Sequence, residues 1–567
     1  MRVLGILVDR VEPKRAKVLV NDDLFAEGFP ILNSMVEIPF VRQNKECVAV
    51  GFITNFYHLN ELFEELELSK NLKNLTDHPV INSIIVKKNF LIAEVELVSA
   101  FTTEWERVPL DSAIKIGTQV YKMEKDSFFM SSNKKFNYLG TFYGESIPQP
   151  LYLSDFQELQ EAYHFCIAGQ TGSGKSTLAK MVLSLYAAKS PAMSFIIIDP
   201  VGEFSNSFKG EDKSGFNLNL RDIWLSVGRS FEIYNLDNIH FDRWELFQKL
   251  MCKKKVFDPF RILTEPKRQS AAEKLVSRLR TNGIPLTSLC DEKSGVCSIV
   301  TSEDFVKQVY AGDREVARTL EAVGETQAVE EFWDNFVSVA KYFYKTEGKK
   351  SIDGIIRGIG YQKRAEEELQ SQNIGRTIIF DLSSLSFGEE DIKYLLVYEI
   401  CSLLYQVSLE LYKQKIGRNL NTLVVLDEAH NFAPASYLIK DNEELKKCAE
   451  QITKAFIETR KFGLGWMVIS TRIGNLEKKL YEHSRVKMLG FGLHTGSDRD
   501  LIVETFGKDI IHRYSILPDP TDPLFNKKEV AFLIDGPITV LSRNTPEFIK
   551  VFDSVEEFLN MNGFMSF

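Results

Sequence analysis

Residues 169–177 read GQTGSGKST and have the residue types and spacing of a loop that binds phosphate. The segment satisfies the pattern G-x-x-x-x-G-K-[ST] in full, in which glycines let backbone N–H groups converge on phosphate oxygens. A short apolar strand leads into the loop and a helix with one apolar face follows it, so the helix dipole also favours a bound anion. The segment therefore predicts an ATP site, whose candidate binding residues are Gly169, Gln170, Thr171, Gly172, Ser173, Gly174, Lys175, Ser176 and Thr177.

Two residues of this loop and two acids elsewhere predict hydrolysis as well as binding. Lys175 is expected to neutralise charge on the β- and γ-phosphates, and the Ser176 hydroxyl is expected to reach a magnesium ion. The apolar run at 423–426 ends in Asp427 and Glu428. At a strand tip, Asp427 could hold Mg²⁺ through water, and Glu428 could polarise the attacking water as a general base. The expected cofactors are ATP and Mg²⁺.

Polar residues that follow other strands are candidates for supporting roles. Asp199 and Glu203 could orient water, contact the second shell of the magnesium ion or relay the state of the nucleotide, or they could be solvated acids in a turn. Thr471 and Arg472 are candidate phosphate sensors, or the capped end of a strand. Arg460 precedes that same strand. It could reach the γ-phosphate of a neighbouring subunit as an arginine finger, or it could be a solvated cation at a helix end.

Hydrophobic periodicity divides the chain into units. Short β-rich runs near the N-terminus predict a small barrel, and residues 93–98 alternate between apolar and acidic side chains. From Tyr163 onward, apolar strands alternate with amphipathic helices, which predicts a parallel sheet covered on both faces and an α/β fold class. The predicted units are the barrel at 1–150, the ATPase core at 151–239 and 371–545, a helical bundle inserted at 240–370, and a C-terminal tail at 546–567.

Composition narrows the class of protein. The chain has 567 residues and a formal net charge of −9, which argues against coating nucleic acid with the whole surface but leaves a basic pore or groove open. Seven scattered cysteines without a C-x-x-C pair argue against a disulfide framework and a zinc ribbon. Without an apolar run of about 20 residues, we expect a cytoplasmic protein with no membrane partner.

Five segments carry motifs in a fixed order: GQTGSGKST at 169–177, IIIDPVGEF at 196–204, IIFDLSSL at 378–385, VVLDEAHNFAP at 424–434 and ETRKFGLGWMVISTR at 458–472. In sequence and order they resemble the HerA family, within the HerA/FtsK group of P-loop translocases. The resemblance covers residues 150–545 well, and the β-rich N-terminal module fits it by architecture.

The resemblance implies a hexameric ring with a RecA-like core, an N-terminal β-barrel and ATP sites between subunits. Members of the family drive double-stranded DNA through a central pore, and they commonly work with a nuclease on another chain, NurA. Some related proteins partner anti-phage defence effectors, including nucleases and sirtuin-like subunits. By this likeness Glu428 is the catalytic glutamate, Lys175 the phosphate lysine and Arg460 the finger that acts in trans. Relatives often carry glutamine at the position of Thr471, so the sensor step is expected to differ.

Other functions remain to be weighed against a DNA motor. A scaffold ATPase that assembles and controls a defence effector, with little translocation, is the main alternative. A secretion-type ATPase is disfavoured because the sequence has no membrane anchor. The DEAH sequence at 427–430 also occurs in a second helicase superfamily, but there it lies much closer to the phosphate-binding loop. That helicase class is therefore excluded.

Overall fold

The computed structural model describes residues 2–12, 14–21, 32–59, 90–104, 106–111, 113–123, 136–212, 215–369, 374–385, 389–414, 419–440, 442–524, 529–541 and 545–564. Two sheets organise them. The first contains strands β1 Val3–Glu12, β2 Arg15–Val20, β3 Met35–Arg42, β4 Lys45–Leu59, β5 Phe90–Thr102, β6 Arg107–Val108 and β7 Gln119–Lys122.

The first sheet closes on itself as a barrel. Its strands pair antiparallel in the order β2-β1-β7-β3-β4-β5, and β2 also pairs with β5, so six strands form a ring with β6 added beside β5. The alternation in β5 works as predicted: Ala93, Val95 and Leu97 are buried, whereas Glu94 and Glu96 are partly exposed. Closure removes unpaired strand edges. The predicted N-terminal β-barrel is confirmed.

The larger sheet is mixed and has the order β12-β15-β11-β16-β17-β10-β18-β19-β20-β8-β9. Its strands are parallel from β12 to β18 and antiparallel beyond β18. The sheet and a separate pair, β13 with β14, comprise strands β8 Asn137–Phe142, β9 Pro148–Leu151, β10 His164–Ala168, β11 Ser194–Asp199, β12 Glu232–Tyr234, β13 Ile239–His240, β14 Lys350–Ser351, β15 Thr377–Asp381, β16 Thr422–Leu426, β17 Leu464–Ser470, β18 Val486–Gly490, β19 Ala531–Asp535 and β20 Glu547–Val551.

Helices lie on both faces of this sheet. Successive residues of β10 point to opposite sides, since Cys166 and Ala168 belong to one apolar core and Phe165 and Ile167 to the other. The predicted α/β class is confirmed. The helices are α1 Phe156–Leu159, α2 Lys175–Lys189, α3 Glu203–Lys209, α4 Leu220–Ser226, α5 Trp244–Lys253, α6 Glu265–Thr281, α7 Lys293–Val300, α8 Glu303–Val309, α9 Asp313–Val323, α10 Thr326–Ala340, α11 Ile352–Leu369, α12 Glu390–Lys413, α13 Glu443–Glu458, α14 Lys478–His483, α15 Gly496–Phe506, α16 Lys508–Tyr514 and α17 Val555–Met561.

The segment between β13 and β14 contains helices α5 to α10 and packs around aromatic side chains. Phe332 stacks on Phe260 at a ring-centroid distance of 4.8 Å, and Trp333 stacks on Phe336 at 5.4 Å. All four rings are buried. Their burial in one shared core holds these helices together without exposing the aromatic faces to solvent.

Two segments extend the larger sheet beyond its parallel part. Residues 137–150, predicted to belong to the first unit, form β8 and most of β9, while the barrel strands end at Lys122. Residues 547–551, assigned to a tail, form β20 between β19 and β8. Both join by antiparallel pairing, which a period-2 pattern in short segments does not reveal.

Helix α12 is the candidate membrane span by length and composition within the described residues. Two thirds of its apolar window, 67%, is buried inside the protein. The helix packs against α13 and α11 in the interior of the protein.

Candidate functional site

The phosphate-binding loop joins β10 to α2 and depends on glycine at two positions. Gly172 and Gly174 have φ angles of +85° and +86°, in the left-handed region that other residues rarely adopt. A Cβ on Gly174 would lie 2.7 Å from Val530 Cγ1, and one on Gly172 would lie 2.5 Å from Thr521 Cγ2. Gly174 also begins the helix without a side-chain cap, so the first N–H groups of α2 remain for an anion.

Contacts with the end of β18 hold this loop in position. The Gln170 N–H donates to the Phe491 carbonyl at 2.9 Å, and Gln170 Nε2 donates to the Gly492 carbonyl at 3.2 Å. Within the loop, Lys175 Nζ donates to the Gln170 carbonyl at 3.1 Å. The start of the loop is therefore tied to the segment that follows β18, and the Lys175 side chain reaches back to it.

Lys175 lies among the predicted catalytic acids. It is 7% exposed, and burial lowers its pKa, whereas Glu428, Asp427 and Glu203 act in the opposite direction. These acids come from different strands and are brought to one edge of the sheet, because β10, β11 and β16 run parallel. The structure thus joins the two motifs that the sequence predicted to cooperate.

Asp427 is held rigidly but keeps one oxygen unpaired. Its N–H donates to the Ile198 carbonyl at 3.2 Å, and the residue is 2% exposed. Its Oδ2 is buried without a hydrogen-bond partner among the described residues. Burial raises the pKa of Asp427 well above its usual value, and the nearby charges of Asp199 and Glu428 add to this effect. Such an oxygen is suited to a cation or to a water molecule bound to one.

A magnesium ion fits this donor set. Mg²⁺ usually takes one or two carboxylates and completes its shell with waters and substrate phosphates. Asp427 would supply the carboxylate, and Ser176, in the first turn of α2, would supply the hydroxyl ligand predicted from the sequence. The described residues hold no cluster of three or more His, Cys, Asp or Glu side chains that could bind a metal by themselves. A metal delivered together with ATP agrees with both observations.

Glu428 is accompanied by a histidine that the sequence analysis passed over. The Glu428 backbone is left-handed, with φ of +46°. Its Oε2 lies 3.3 Å from His430 Nδ1 without hydrogen-bond geometry, and burial lowers the pKa of His430. His430 Nδ1 also lies 3.3 Å from Ser470 Oγ, which donates to the Arg472 carbonyl at 2.7 Å. The histidine therefore connects the glutamate to the end of β17.

Asp199 proves to be a structural residue at the end of β11. Its Oδ1 accepts hydrogen bonds from the N–H groups of Gly202 and Glu203, and its Oδ2 accepts from both the N–H and the hydroxyl of Ser205. The longest of these four bonds is 3.1 Å. Asp199 is fully buried and fixes the start of α3, so it is not a solvated acid in a turn.

Replacing Asp199 with asparagine is expected to destabilise the protein by about 2 kcal/mol, because an amide loses the charge-assisted bonds to Ser205. Thermal unfolding followed by fluorescence would show a melting temperature several degrees lower. The exposed Asp222, in the first turn of α4, provides a matched control: Asp222→Asn should stay within about 0.5 kcal/mol of wild type. Equal melting temperatures for the two variants would contradict the structural role.

The candidate sensors lie at the same edge of the sheet but are loosely held. Arg472 is half-exposed, and its Nε lies 3.9 Å from Asp498 Oδ2. Thr471 follows β17 directly and is partly exposed. Glu203 is also partly exposed, with Oε1 3.9 Å from Lys180 Nζ. Their roles as sensors remain predictions.

Arg460 lies at the opposite edge of the sheet. It precedes β17, and its carbonyl accepts a hydrogen bond from the Ala162 N–H at 2.9 Å, just before β10 begins. The five residues of β10 span about 16 Å between that point and the phosphate-binding loop. The half-exposed guanidinium lies 3.5 Å from Glu161 Oε2. Arg460 is therefore not brought to the site of its own chain.

Comparison with known families gives one match. Residues 138–276 match the model described as "Helicase HerA, central domain". The matched range contains the phosphate-binding loop and Glu203, whereas Asp427, Glu428 and Arg460 lie outside it. No curated protein matches the chain.

Solved structures resemble the chain distantly. VirB4 of Thermoanaerobacter pseudethanolicus is 16% identical over 75% of this chain and 99% of its own, with a TM-score of 0.38. The genome packaging NTPase B204 from Sulfolobus turreted icosahedral virus 2, in complex with ATP-gammaS, is 10% identical over 69% and 98%, with a TM-score of 0.29. The pCW3 conjugation coupling protein TcpA, in its monomer form with ATPgS, is 11% identical over 94% and 93%, with a TM-score of 0.28. Likenesses this distant do not carry a function across.

Proposed function

We propose that this chain, which is a P-loop ATPase of the HerA family through its central domain, is a ring-shaped motor that translocates double-stranded DNA. The observation that carries the proposal is the meeting of Lys175 with Asp427 and Glu428 at the carboxyl edge of the sheet, inside and beside a HerA central domain. Parallel sheets bind ligands at this edge. The core is proposed to be RecA-like, with the helices between β13 and β14 as an insertion.

The chain's own side chains account for ATP hydrolysis. The loop from Gly169 to Thr177 binds the phosphates through backbone N–H groups, and Lys175 neutralises the charge that develops on them. Mg²⁺, held by Ser176 and Asp427, would neutralise phosphate charge when it is bound. Glu428 accepts a proton from the attacking water. His430 lies between the Glu428 carboxylate and Ser470 at the end of β17, so it can couple the glutamate to the strand that precedes the candidate sensors.

A ring of six subunits would give Arg460 a role. At the edge opposite its own loop, the exposed guanidinium is available to a neighbour's γ-phosphate. Such a trans finger makes hydrolysis depend on assembly. We therefore propose a homohexamer with ATP sites between subunits, in which Arg460→Ala would lose activity only in the assembled form.

The proposed partners follow from the family resemblance. They are double-stranded DNA and a separate chain carrying a nuclease, NurA-like, or a defence effector of the nuclease or sirtuin-like kind. The proposed location is the cytoplasm. A scaffold ATPase that controls such an effector without translocation is the alternative, and the response of hydrolysis to DNA separates the two.

The decisive measurement is ATP turnover of the full chain with and without linear duplex DNA. A motor is expected to hydrolyse ATP several-fold faster with DNA, and the stimulated rate should vanish in Glu428→Gln. Closed circular duplex of equal mass serves as a control, because it shows whether the stimulation requires DNA ends. Hydrolysis that is indifferent to every DNA form, yet absent in Glu428→Gln, would contradict the motor and favour the scaffold ATPase.

A further inference from the structure

Strand β16, which leads to Asp427 and Glu428, and strand β17, which ends at Ser470, are called the catalytic strands below. The loops that follow these two strands are joined to one another beyond the site. The Ala435 N–H donates to the Asn475 carbonyl at 2.8 Å, and the Glu477 N–H donates to the Ala433 carbonyl at 2.9 Å. An isolated bridge also pairs Pro434 with Leu476. The segment that follows Glu428 and the segment that follows Ser470 are therefore joined by backbone hydrogen bonds. A displacement of one segment is expected to move the other.

This joined unit forms one wall of a groove whose other wall is helix α13. The groove has a volume of about 560 Å³ and is lined by four lysines. Lys440 precedes α13, Lys446 and Lys454 lie on α13, and Lys479 lies on α14. We call this surface, defined by these four residues, the lysine groove. It begins a dozen residues after Glu428 and connects directly to the catalytic strands.

The four lysines of the groove form no ion pairs with other described residues. All four are exposed, and none lies within 4 Å of a carboxylate in the described part of the chain. Their immediate sequence neighbours behave differently. Lys447 pairs with Glu443 at 2.9 Å, and Lys478 pairs with Glu482 at 3.2 Å. In each of the adjacent pairs Lys446–Lys447 and Lys478–Lys479, one lysine forms an ion pair on its own helix and the other lines the groove without an ion pair.

Acidic residues in the groove only partly offset this charge. Glu450, Glu458 and Glu477 also line it, so four lysines meet three carboxylates and the net charge is +1. Two of the carboxylates accept hydrogen bonds, Glu458 from the Tyr405 hydroxyl at 2.6 Å and Glu477 from the Ser436 hydroxyl at 3.4 Å. The chain as a whole carries −9, so the groove is positive on an acidic protein.

We propose that the lysine groove binds the phosphate backbone of duplex DNA and passes that contact to the catalytic strands. The proposal rests on the motor function above and names the residues of the DNA contact. Lys446 and Lys454 are eight residues apart on α13, which is about 12 Å along the helix axis. That distance corresponds to between three and four base steps of about 3.4 Å. The ammonium groups contact phosphates without reading bases, as a motor that moves along any sequence requires.

The test measures the salt dependence of DNA binding by the full chain. Fluorescence anisotropy of a labelled linear duplex would be titrated at KCl concentrations from about 50 to 200 mM, where phosphate contacts change affinity steeply. The slope of log affinity against log salt falls by about 0.9 for each phosphate contact that is lost. The double variant Lys446→Gln with Lys479→Gln is expected to lower that slope by about 1.8.

The matched control is Lys447→Gln with Lys478→Gln, which removes the same charge from the adjacent positions. Its slope should equal that of wild type, and thermal unfolding should show that both double variants are folded. Equal slopes for the two double variants would overturn the proposal. A change in oligomer size on gel filtration, confined to the groove variant, would also overturn it and assign the groove to a subunit contact.

The same measurements distinguish a wrong assignment of the lysine groove from a wrong assignment of the chain as a DNA motor. If wild type hydrolyses ATP faster with DNA but the groove variant keeps the wild-type slope and stimulation, only the groove assignment fails. If wild type neither binds duplex DNA nor responds to it, the motor function itself fails. Loss of DNA stimulation in the groove variant, with the control variant normal, supports the coupling between the groove and the site.

Discussion

Glu428→Gln is expected to lower the turnover number for ATP by about 10²- to 10⁴-fold, the usual contribution of a general base. Glutamine keeps the size of the side chain and its place beside His430, but it cannot accept a proton from water. ATP binding should persist, because the phosphate-binding loop and Lys175 are untouched. Single-turnover hydrolysis and the dissociation constant of a fluorescent ATP analogue would measure the two properties separately.

Glu482→Gln is the control for this experiment. Glu482 is a half-exposed glutamate that pairs with Lys478 on α14, remote from the loop, and its removal should leave hydrolysis unchanged. A Glu428→Gln rate within about tenfold of wild type would exclude the general-base assignment. Weakened ATP binding in that variant would instead point to a structural role for the left-handed turn at Glu428.

Asp427→Asn is expected to stabilise the nucleotide-free protein while abolishing hydrolysis. The carboxylate is 2% exposed and one of its oxygens has no hydrogen-bond partner among the described residues, so an ionised group there is costly. A neutral amide of the same shape should raise the stability by roughly 1–3 kcal/mol. Wild type should gain stability when MgATP is added, whereas the variant should gain much less. Thermal unfolding with and without MgATP measures both effects.

Asp381, at the end of β15, provides a control for which the opposite change in stability is expected. Burial alone would raise the pKa of Asp381, but hydrogen bonds from Ser383 and Lys209 lower it below its usual value. Its ionised form therefore stabilises the fold at neutral pH, and this contribution is lost as the pH falls through the folded-state pKa. Asp381→Asn should lower the melting temperature at pH 7 and have little effect in acid. A fall in stability for Asp427→Asn as well would contradict the account of its unpaired oxygen.

The parts of the site that are local in sequence could be predicted from it. The glycines at 172 and 174 need a left-handed backbone, and the lysine and hydroxyl that follow them are fixed by the start of α2. The strand that carries Asp427 is a continuous apolar run, so its end and its acids were evident. The period-2 alternation of apolar residues predicted the barrel, and the alternation of apolar strands with amphipathic helices predicted the larger sheet.

What the sequence could not predict depends on contacts between distant segments. The proximity of His430 to Ser470 exists only because β16 and β17 are neighbours in the sheet. Lys446 and Lys447 look alike in sequence, and only the direction of each side chain on α13 separates the paired lysine from the groove lysine. Asp199 had a local signal, since aspartates commonly accept bonds from nearby N–H groups at turns, but functional roles also suit such a position.

The position of β20 between β19 and β8 has a consequence for how the protein is made. Pairs such as Gly140 with Val551 join segments that leave the ribosome far apart in time. At 5–20 residues per second, the intervening chain takes roughly 20–80 s to synthesise. The barrel can close early, because its last strand ends at Lys122. Strand β8 must wait with an open edge until residues 547–551 have been synthesised, and unpaired edges of this kind can pair with other chains in the meantime.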